Sequence, residues 1–287
     1  MRVAVSAYSF NRYFEDPAYT VAKAIKSAAQ IGFEGFEMLP RFFPGKKSSP
    51  AACREVKKML ADAGLEMACY TLGNNFGLPE AERRALVDDI KREIDMALVL
   101  GATTCRIESS WGPKEGDPAA FPEVTARVVA ATKEVAEHAL KLGVRLGLEN
   151  HGRYMGSYQT VAMLIREVKS DAYGAVPDIG NFLVVDEDPL VACRELAKYA
   201  VHVHAKDFRR LPPGPRPEGT HWWQTTGGNW LQGAVVGEGD VPVKACLEAF
   251  VRKGYRGWLS VEHETPEDPI EGLKRSRANI QAILSTL

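Results

Sequence analysis

The feature that most constrains the fold of this 287-residue chain is a regular alternation of short apolar stretches with longer helical ones. Eight stretches have the length and pattern of β-strands, and a segment with helical character follows each of them. The predicted strands are residues 3–8, 35–39, 66–72, 104–110, 145–151, 174–180, 201–207 and 257–263. Eight such units without a linker predict a single-domain (β/α)8 barrel over residues 1–287. A doubly wound sheet is disfavoured, because no glycine-rich phosphate-binding motif follows the first strand.

Several helix boundaries are marked by short motifs. Four dipeptides place a capping side chain before a proline at the first helical position, namely Asp16–Pro17, Ser49–Pro50, Asp188–Pro189 and Asp268–Pro269. Helices are expected to end just before four glycines, namely Gly32, Gly64, Gly143 and Gly254.

One connection is unusually long. Residues 208–240 separate the seventh predicted strand from the next helix, and compact domains rarely carry such a loop unless it binds a ligand or covers a site. The loop follows a strand, so it lies on the barrel face where active sites form. It contains Trp222, Trp223 and Trp230. One interpretation is a lid whose aromatic rings cover a substrate, and the other is that the tryptophans only anchor the loop.

Composition excludes several classes of function. The formal charge is −1, from 36 basic and 37 acidic residues, so no surface for nucleic acid is expected. No apolar run approaches the roughly 20 residues that span a bilayer. The five cysteines are scattered and form no CxxC pair, which is typical of buried free thiols in a reducing compartment. We therefore expect a cytoplasmic protein without a membrane or nucleic-acid partner.

Four residues with ligand-type side chains lie near the carboxyl ends of the last four predicted strands: Glu149, Asp178, His204 and Glu262. In a barrel these ends converge on one mouth. Three carboxylates in one place would repel each other unless a cation lay among them. Three oxygen ligands and one imidazole suit Mn²⁺, Mg²⁺ or Co²⁺ better than Zn²⁺, which is kept as an alternative.

The segments LGLENHG, VPDIGN, VHVHAKDFRR, GEGDVP and LSVEHE resemble those of the xylose isomerase-like superfamily of TIM barrels (AP endonuclease 2-type barrels), especially the sugar phosphate isomerase/epimerase-like proteins. The resemblance implies that Glu149, Asp178, His204 and Glu262 hold one divalent metal ion. It also implies that Glu149 and Glu262 act as acid and base on a cis-enediolate derived from a ketose. It further assigns Arg210, shortly after His204, to a substrate oxygen.

Other residues are candidates for binding the substrate. They are His151, Lys206, Glu37 and Glu108 near strand ends, Asn181 after the sixth strand, and Trp222 and Trp223 in the long loop. Asn181 is a departure from the family, because many relatives have a histidine there. An amide still forms hydrogen bonds but cannot take up a proton.

The sequence thus predicts a divalent-metal-dependent isomerase or epimerase of a sugar, a sugar phosphate or a cyclic polyol ketone. Two alternatives stay open: a dehydratase of an inosose- or dehydroshikimate-like substrate on the same metal site, and a carbohydrate-binding barrel without catalysis. A three-zinc endonuclease IV is disfavoured, because the chain has six histidines and an asparagine at position 181. Barrels of this type often form homo-oligomers, but no interface patch is identifiable in the sequence.

Overall fold

The strands of the barrel follow the predicted order along the chain. The computed structural model describes residues 1–287. Strands β8 to β10 form a separate sheet, described below. The eight barrel strands are β1 (Arg2–Ser6), β2 (Gly35–Met38), β3 (Glu66–Thr71), β4 (Thr104–Ile107), β5 (Arg145–Glu149), β6 (Tyr173–Val176), β7 (Val203–Ala205) and β11 (Trp258–Val261). All pair in parallel, in the order β6-β5-β4-β3-β2-β1-β11-β7. The predicted (β/α)8 barrel is confirmed.

The barrel closes between β6 and β7 through a few backbone contacts rather than a full ladder. Asp178 and His204 are partners in an isolated parallel bridge, and Ala175 and Ala200 form another. The His204 N–H donates to the Pro177 carbonyl at 3.0 Å, and the Ile179 N–H donates to the His204 carbonyl at 3.1 Å. Two of the predicted metal ligands therefore sit at the seam of the barrel.

Eight helices surround the strands: α1 (Val21–Ile31), α2 (Pro50–Asp62), α3 (Glu80–Leu100), α4 (Phe121–Lys141), α5 (Tyr158–Val168), α6 (Pro189–Leu196), α7 (Val243–Arg252) and α8 (Pro269–Leu284). The caps at Ser49, Asp188 and Asp268 are confirmed, since each side chain accepts a hydrogen bond from the first turn of its helix. The start at Asp16–Pro17 is wrong. The Asp16 carboxylate closes a local turn by accepting from the Ala18 N–H, and α1 begins only at Val21.

All four predicted terminating glycines have positive φ angles. Gly32, for example, ends α1 at a φ of 93°, a backbone conformation that a side chain would strain. The strands, by contrast, stop earlier than predicted. β5 ends at Glu149, so His151 lies in the following loop, where backbone groups no longer pair with a neighbouring strand.

The segment 208–240 is not a simple loop. It contributes most of a three-stranded antiparallel sheet of β8 (Asp207–Leu211), β9 (Trp223–Gln224) and β10 (Trp230–Ala234), in the order β8-β10-β9. The Asp207 carboxylate anchors both ends of this insertion by accepting backbone N–H groups of Phe208, Gly237, Gly239 and Val241 at 2.8–3.0 Å. Closure of the insertion over a substrate stays a prediction.

Apolar side chains between the barrel and its helices form one continuous core. All five cysteines are buried free thiols, as predicted. Among the helices, none combines the length and the apolar character that a membrane crossing requires.

Candidate active site

Four ligand-type side chains meet at the carboxyl end of the barrel. Glu149 ends β5, Asp178 follows β6, His204 lies in β7 and Glu262 directly follows β11. One potential ligand atom from each lies within 4.8 Å of the others, and all four side chains are buried. The structure therefore brings together the residues that the sequence placed at this mouth. We call these four residues the acidic cluster.

Asp178 is held by its neighbours in a way that leaves one oxygen free. Its Oδ1 accepts the N–H groups of Gly180 and Asn181, at 2.9 and 3.2 Å. Its Oδ2 is buried without a hydrogen-bond donor. Burial raises the pKa of the Asp178 carboxyl, since the charged form loses hydration. A buried oxygen without a donor is costly unless a cation approaches it.

His204 lies between carboxylates on both sides of its ring. Its Nδ1 is 3.1 Å from Oε1 of Glu149 and 3.6 Å from Oε1 of Glu262. Its Nε2, on the opposite side, is 3.1 Å from Oε2 of Glu37. Nδ1 is therefore the ring nitrogen that faces the acidic cluster.

Two buried cations balance part of the negative charge. Arg106 pairs with Oε2 of Glu149, lies 2.7 Å from Oε1 of Glu108, and donates to the Leu72 carbonyl. On the other side, Nζ of Lys206 is 2.9 Å from Oε2 of Glu262 and 3.4 Å from Oδ2 of Asp178.

These cations shift the protonation of their neighbours. Burial alone would raise the pKa of Glu262, but Lys206 and His204 lower it to about 2. Burial lowers the pKa of His151 to about 4, and the charge of Arg106 acts in the same direction. At pH 7 Glu262 is therefore a carboxylate, and His151 is a neutral imidazole.

The donor set fits a divalent ion. Three carboxylates and one imidazole nitrogen are a combination that Mg²⁺, Mn²⁺ and Co²⁺ accept. Oδ2 of Asp178 has no hydrogen-bond donor and only the Lys206 ammonium 3.4 Å away, so this oxygen and the inward Nδ1 of His204 could both bind such an ion. These buried groups could hold a metal, although its identity does not follow from the donors alone.

A cavity of about 1430 Å³ opens beside the acidic cluster. Six polar residues line its inner part: Arg106, Glu108, His151, Asn181, Lys206 and Glu262. Five aromatic residues also line it: Tyr8, Trp111, Tyr154, Phe208 and Trp223. Of the two cluster glutamates, only Glu262 reaches this cavity, at 7% exposure against 1% for Glu149.

Three residues predicted to touch substrate do not line the cavity. Glu37 is fully buried behind His204. Arg210 lies on β8, where its guanidinium is 3.5 Å from Oδ1 of Asp186. Trp222 directs its indole N–H to the Glu218 carbonyl at 3.0 Å, whereas the adjacent Trp223 faces the cavity. Successive side chains in an extended segment point to opposite sides, which explains why these neighbouring tryptophans face different ways.

The sequence reasoning missed four of the five aromatic residues that line the cavity: Tyr8, Trp111, Tyr154 and Phe208. The Tyr8 hydroxyl donates to Oε1 of Glu264 at 2.7 Å, and Lys206 lies 5.7 Å from the Tyr8 ring. Trp111 is 61% exposed, and its ring centroid is 4.9 Å from that of His151. Both follow barrel strands closely, so a scan of every residue just beyond a strand end would have found them.

The fold and the acidic cluster define a class of protein: a (β/α)8 barrel with buried carboxylate and histidine groups, at its carboxyl-terminal mouth, that could hold a divalent metal. Within this class, the chain belongs to the xylose isomerase-like TIM barrel family, whose model matches residues 25–283.

Curated relatives resemble parts of the chain. It is 33% identical over 139 residues to the rhizopine catabolism protein MocC of Rhizobium meliloti, covering 47% of this chain and 41% of the relative. It is 25% identical over 247 residues to a 3-dehydroshikimate dehydratase of Pseudomonas putida, covering 85% of this chain and 36% of the relative. The chain thus matches less than half the length of these relatives.

Solved structures share the whole fold. An L-ribulose 3-epimerase superposes with a TM-score of 0.74 at 18% identity, over 99% of this chain and 95% of that one. At this identity the similarity establishes the fold.

Proposed function

We propose that this protein is a divalent-metal-dependent isomerase or epimerase that transfers protons next to the carbonyl group of a sugar or polyol ketone. The observation that carries the proposal is the acidic cluster, in which four buried ligand atoms lie within 4.8 Å of one another beside a large cavity. The family and its epimerase-type structural relatives support the same class of enzyme.

Glu149, Asp178, His204 and Glu262 would hold the ion. A divalent cation bound there would polarise the substrate carbonyl and acidify the neighbouring C–H group. Arg106 keeps Glu149 oriented, and Lys206 keeps Glu262 oriented and ionised before substrate arrives.

Proton transfer falls first to Glu262, because its carboxylate reaches the cavity. Its Oε2 pairs with Lys206, and its Oε1 faces Nδ1 of His204 on the side of the acidic cluster, so the carboxylate lies between the ion site and the cavity. Removing a proton beside the carbonyl and returning it to the former carbonyl carbon, with the hydroxyl proton passing to the other oxygen, gives isomerisation through an enediolate. Inversion of one carbon requires a second group on the opposite face, and Glu149 fills that role only if Arg106 leaves its Oε2.

Other cavity residues bind the substrate hydroxyl groups. His151 is neutral and therefore both accepts and donates a hydrogen bond. The Asn181 amide donates to Oε1 of Glu149 at 3.3 Å, so a substrate bound to Asn181 would be linked to the acidic cluster through this hydrogen bond. Trp111 and Trp223 present aromatic surface of the kind that packs against sugar rings.

The substrate belongs to a small group of compounds: a sugar, a sugar phosphate or a cyclic polyol ketone. The loop between β2 and α2 contributes three exposed cations to the cavity wall, Arg41, Lys46 and Lys47. Such cations favour a ligand with a phosphate or carboxylate group over a neutral one.

A dehydratase is the second candidate, and a specific asymmetry favours it. Loss of water after proton removal can use a single base, which returns the proton to the leaving hydroxyl group, and it needs no proton donor on the opposite face of the carbon. Only one glutamate of the cluster reaches the cavity, which matches that requirement. Curated relatives of the chain include a 3-dehydroshikimate dehydratase and inosose dehydratases.

Deuterium exchange separates these outcomes. The protein is stripped with a chelator, reloaded with Mg²⁺ or Mn²⁺, and incubated in D₂O with ketoses, their phosphates and inososes, while NMR follows the carbons beside the carbonyl. We expect metal-dependent deuterium incorporation with the carbon skeleton retained, and none in the metal-free control. Loss of water would identify a dehydratase instead. Absence of exchange from protein with a full complement of metal would favour a barrel that only binds.

A further inference from the structure

A buried carboxylate behind the acidic cluster has no part in the proposed reaction. Glu37, on β2, has no solvent exposure and does not line the cavity. Its Oε2 is 3.1 Å from Nε2 of His204 and 3.0 Å from Nε2 of His202. Its Oε1 accepts a hydrogen bond from the Thr71 hydroxyl at 2.6 Å. Each of its three partners can donate a hydrogen bond, the histidines when Nε2 carries a proton, and one of them is a predicted metal ligand.

These contacts determine which N–H of His204 would remain when a metal ion binds. An ionised carboxylate only accepts hydrogen bonds, so each of the two histidines must donate from Nε2. Without a metal ion Nδ1 also contacts a carboxylate, at 3.1 Å from Oε1 of Glu149, so both ring nitrogens can carry a proton. An ion bound at Nδ1 would replace the proton there, and the remaining N–H would be the one on Nε2 that Glu37 accepts. The lone pair of Nδ1 then faces Glu149 and Glu262, the direction in which a metal ion would bind. The other tautomer would place a hydrogen atom there and block coordination.

We propose that Glu37 is a positioning residue that fixes the Nε2–H tautomer and the ring plane of His204, so that Nδ1 is available to a divalent metal. The inference rests on the proposed metal-dependent function. Outer hydrogen-bond partners of this kind orient histidine ligands in metal sites generally.

The surrounding network holds Glu37 itself in place. His202 shares its Nε2 between Glu37 and the Ser260 hydroxyl, which is 2.9 Å away. The rings of His202 and His204 meet edge to face, with centroids 5.3 Å apart. Hydrogen bonds from residues on or beside β3, β7 and β11 therefore hold Glu37 in place, and His204 is the member of the acidic cluster that it contacts.

The test is Glu37→Gln in the full chain, with Thr71→Val as the matched control. Gln keeps the size of the side chain, but its amide N–H₂ group, turned towards His204, would favour the Nδ1–H tautomer. Thr71→Val removes the hydrogen bond on the other oxygen and leaves both histidine contacts intact. Affinity for Mg²⁺ and Mn²⁺ is measured by calorimetry after chelation, and ¹⁵N NMR reads the protonation of each ring nitrogen of His204.

We expect Glu37→Gln to bind the ions roughly 10- to 100-fold more weakly and to show an N–H on Nδ1. Thr71→Val should retain wild-type affinity and the Nε2–H signal. Unchanged affinity and an unchanged His204 spectrum in Glu37→Gln would overturn the inference. If that variant does not fold, the wild-type spectrum decides: metal coordination through Nδ1 with Nε2 protonated supports the inference, and coordination through Nε2 refutes it. A wild-type protein that binds no divalent ion would instead refute the proposed function.

Discussion

Each side of the acidic cluster pairs a glutamate with a buried cation, but the two glutamates differ in their access to the cavity. On the β4–β5 side, Glu149 is enclosed by Arg106 and Asn181 and does not reach the cavity. On the β7–β11 side, Glu262 is paired with Lys206 and lines the cavity. Both carboxylates face Nδ1 of His204, so both are placed to hold an ion.

This difference shows that two glutamates equally placed to hold a metal ion need not be equally placed to act as a base. A metal ligand needs only one oxygen directed at the ion, whereas a base must also touch the substrate. Under the proposed function, Glu149 would meet the first condition and Glu262 would meet both. The asymmetry would then separate a metal-holding role from a proton-transfer role within one cluster.

The largest effects are expected from Glu262→Gln and Glu149→Gln. At saturating metal, Glu262→Gln should lower kcat by roughly 10²- to 10⁴-fold, because it removes the base that contacts the substrate. Glu149→Gln should mainly weaken metal binding, so that added Mg²⁺ or Mn²⁺ restores a large part of the activity. Titration of kcat with metal for both variants measures the difference. Equal losses that metal cannot rescue would show that both glutamates transfer protons, as an epimerase of the two-base type requires.

Next in size are the effects of removing the two buried cations. Arg106→Met leaves Glu149 and Glu108 without their partner, which should cost about 3–5 kcal/mol of unfolding free energy. Lys206→Met should cost a similar amount in metal-free protein, since Glu262 and Asp178 lose their ammonium neighbour. A bound divalent ion would lie close to Glu262 and Asp178. It should therefore offset the loss of stability in Lys206→Met more than the loss in Arg106→Met. Denaturant unfolding with and without Mg²⁺ tests this, and equal losses under both conditions would contradict it.

Much of this arrangement could be predicted from local sequence pattern. The barrel follows from the repeated alternation, and Glu149, Asp178, His204 and Glu262 follow from their shared position near strand ends. These predictions work because parallel strands of a barrel all point their carboxyl ends to one mouth.

The contacts that set protonation could not be predicted in the same way. Glu37 is 167 positions from His204, and their contact depends on the stagger between β2 and β7. The pairing of Arg106 with Glu149, rather than with Glu108 alone, depends on the register of β4 and β5. The sheet in the insertion was missed because β9 has two residues, too few for an alternation to be visible.

The smallest effect is expected at the mouth, where Trp222→Leu and Trp223→Leu test whether the insertion contributes to binding. Only Trp223 faces the cavity, packing edge to face on Phe208 with ring centroids 5.6 Å apart. Its replacement should raise KM by roughly fivefold, the equivalent of about 1 kcal/mol of lost aromatic contact, without a change in kcat. Trp222→Leu is the matched control and should leave KM unchanged, because its indole is bound to the Glu218 carbonyl instead. If both variants raised KM equally, the insertion would have to close over the substrate and bring Trp222 to it, and the lid predicted from the sequence would be supported. If neither did, the substrate would be held by the inner cavity alone, and the tryptophans would serve only to anchor the insertion.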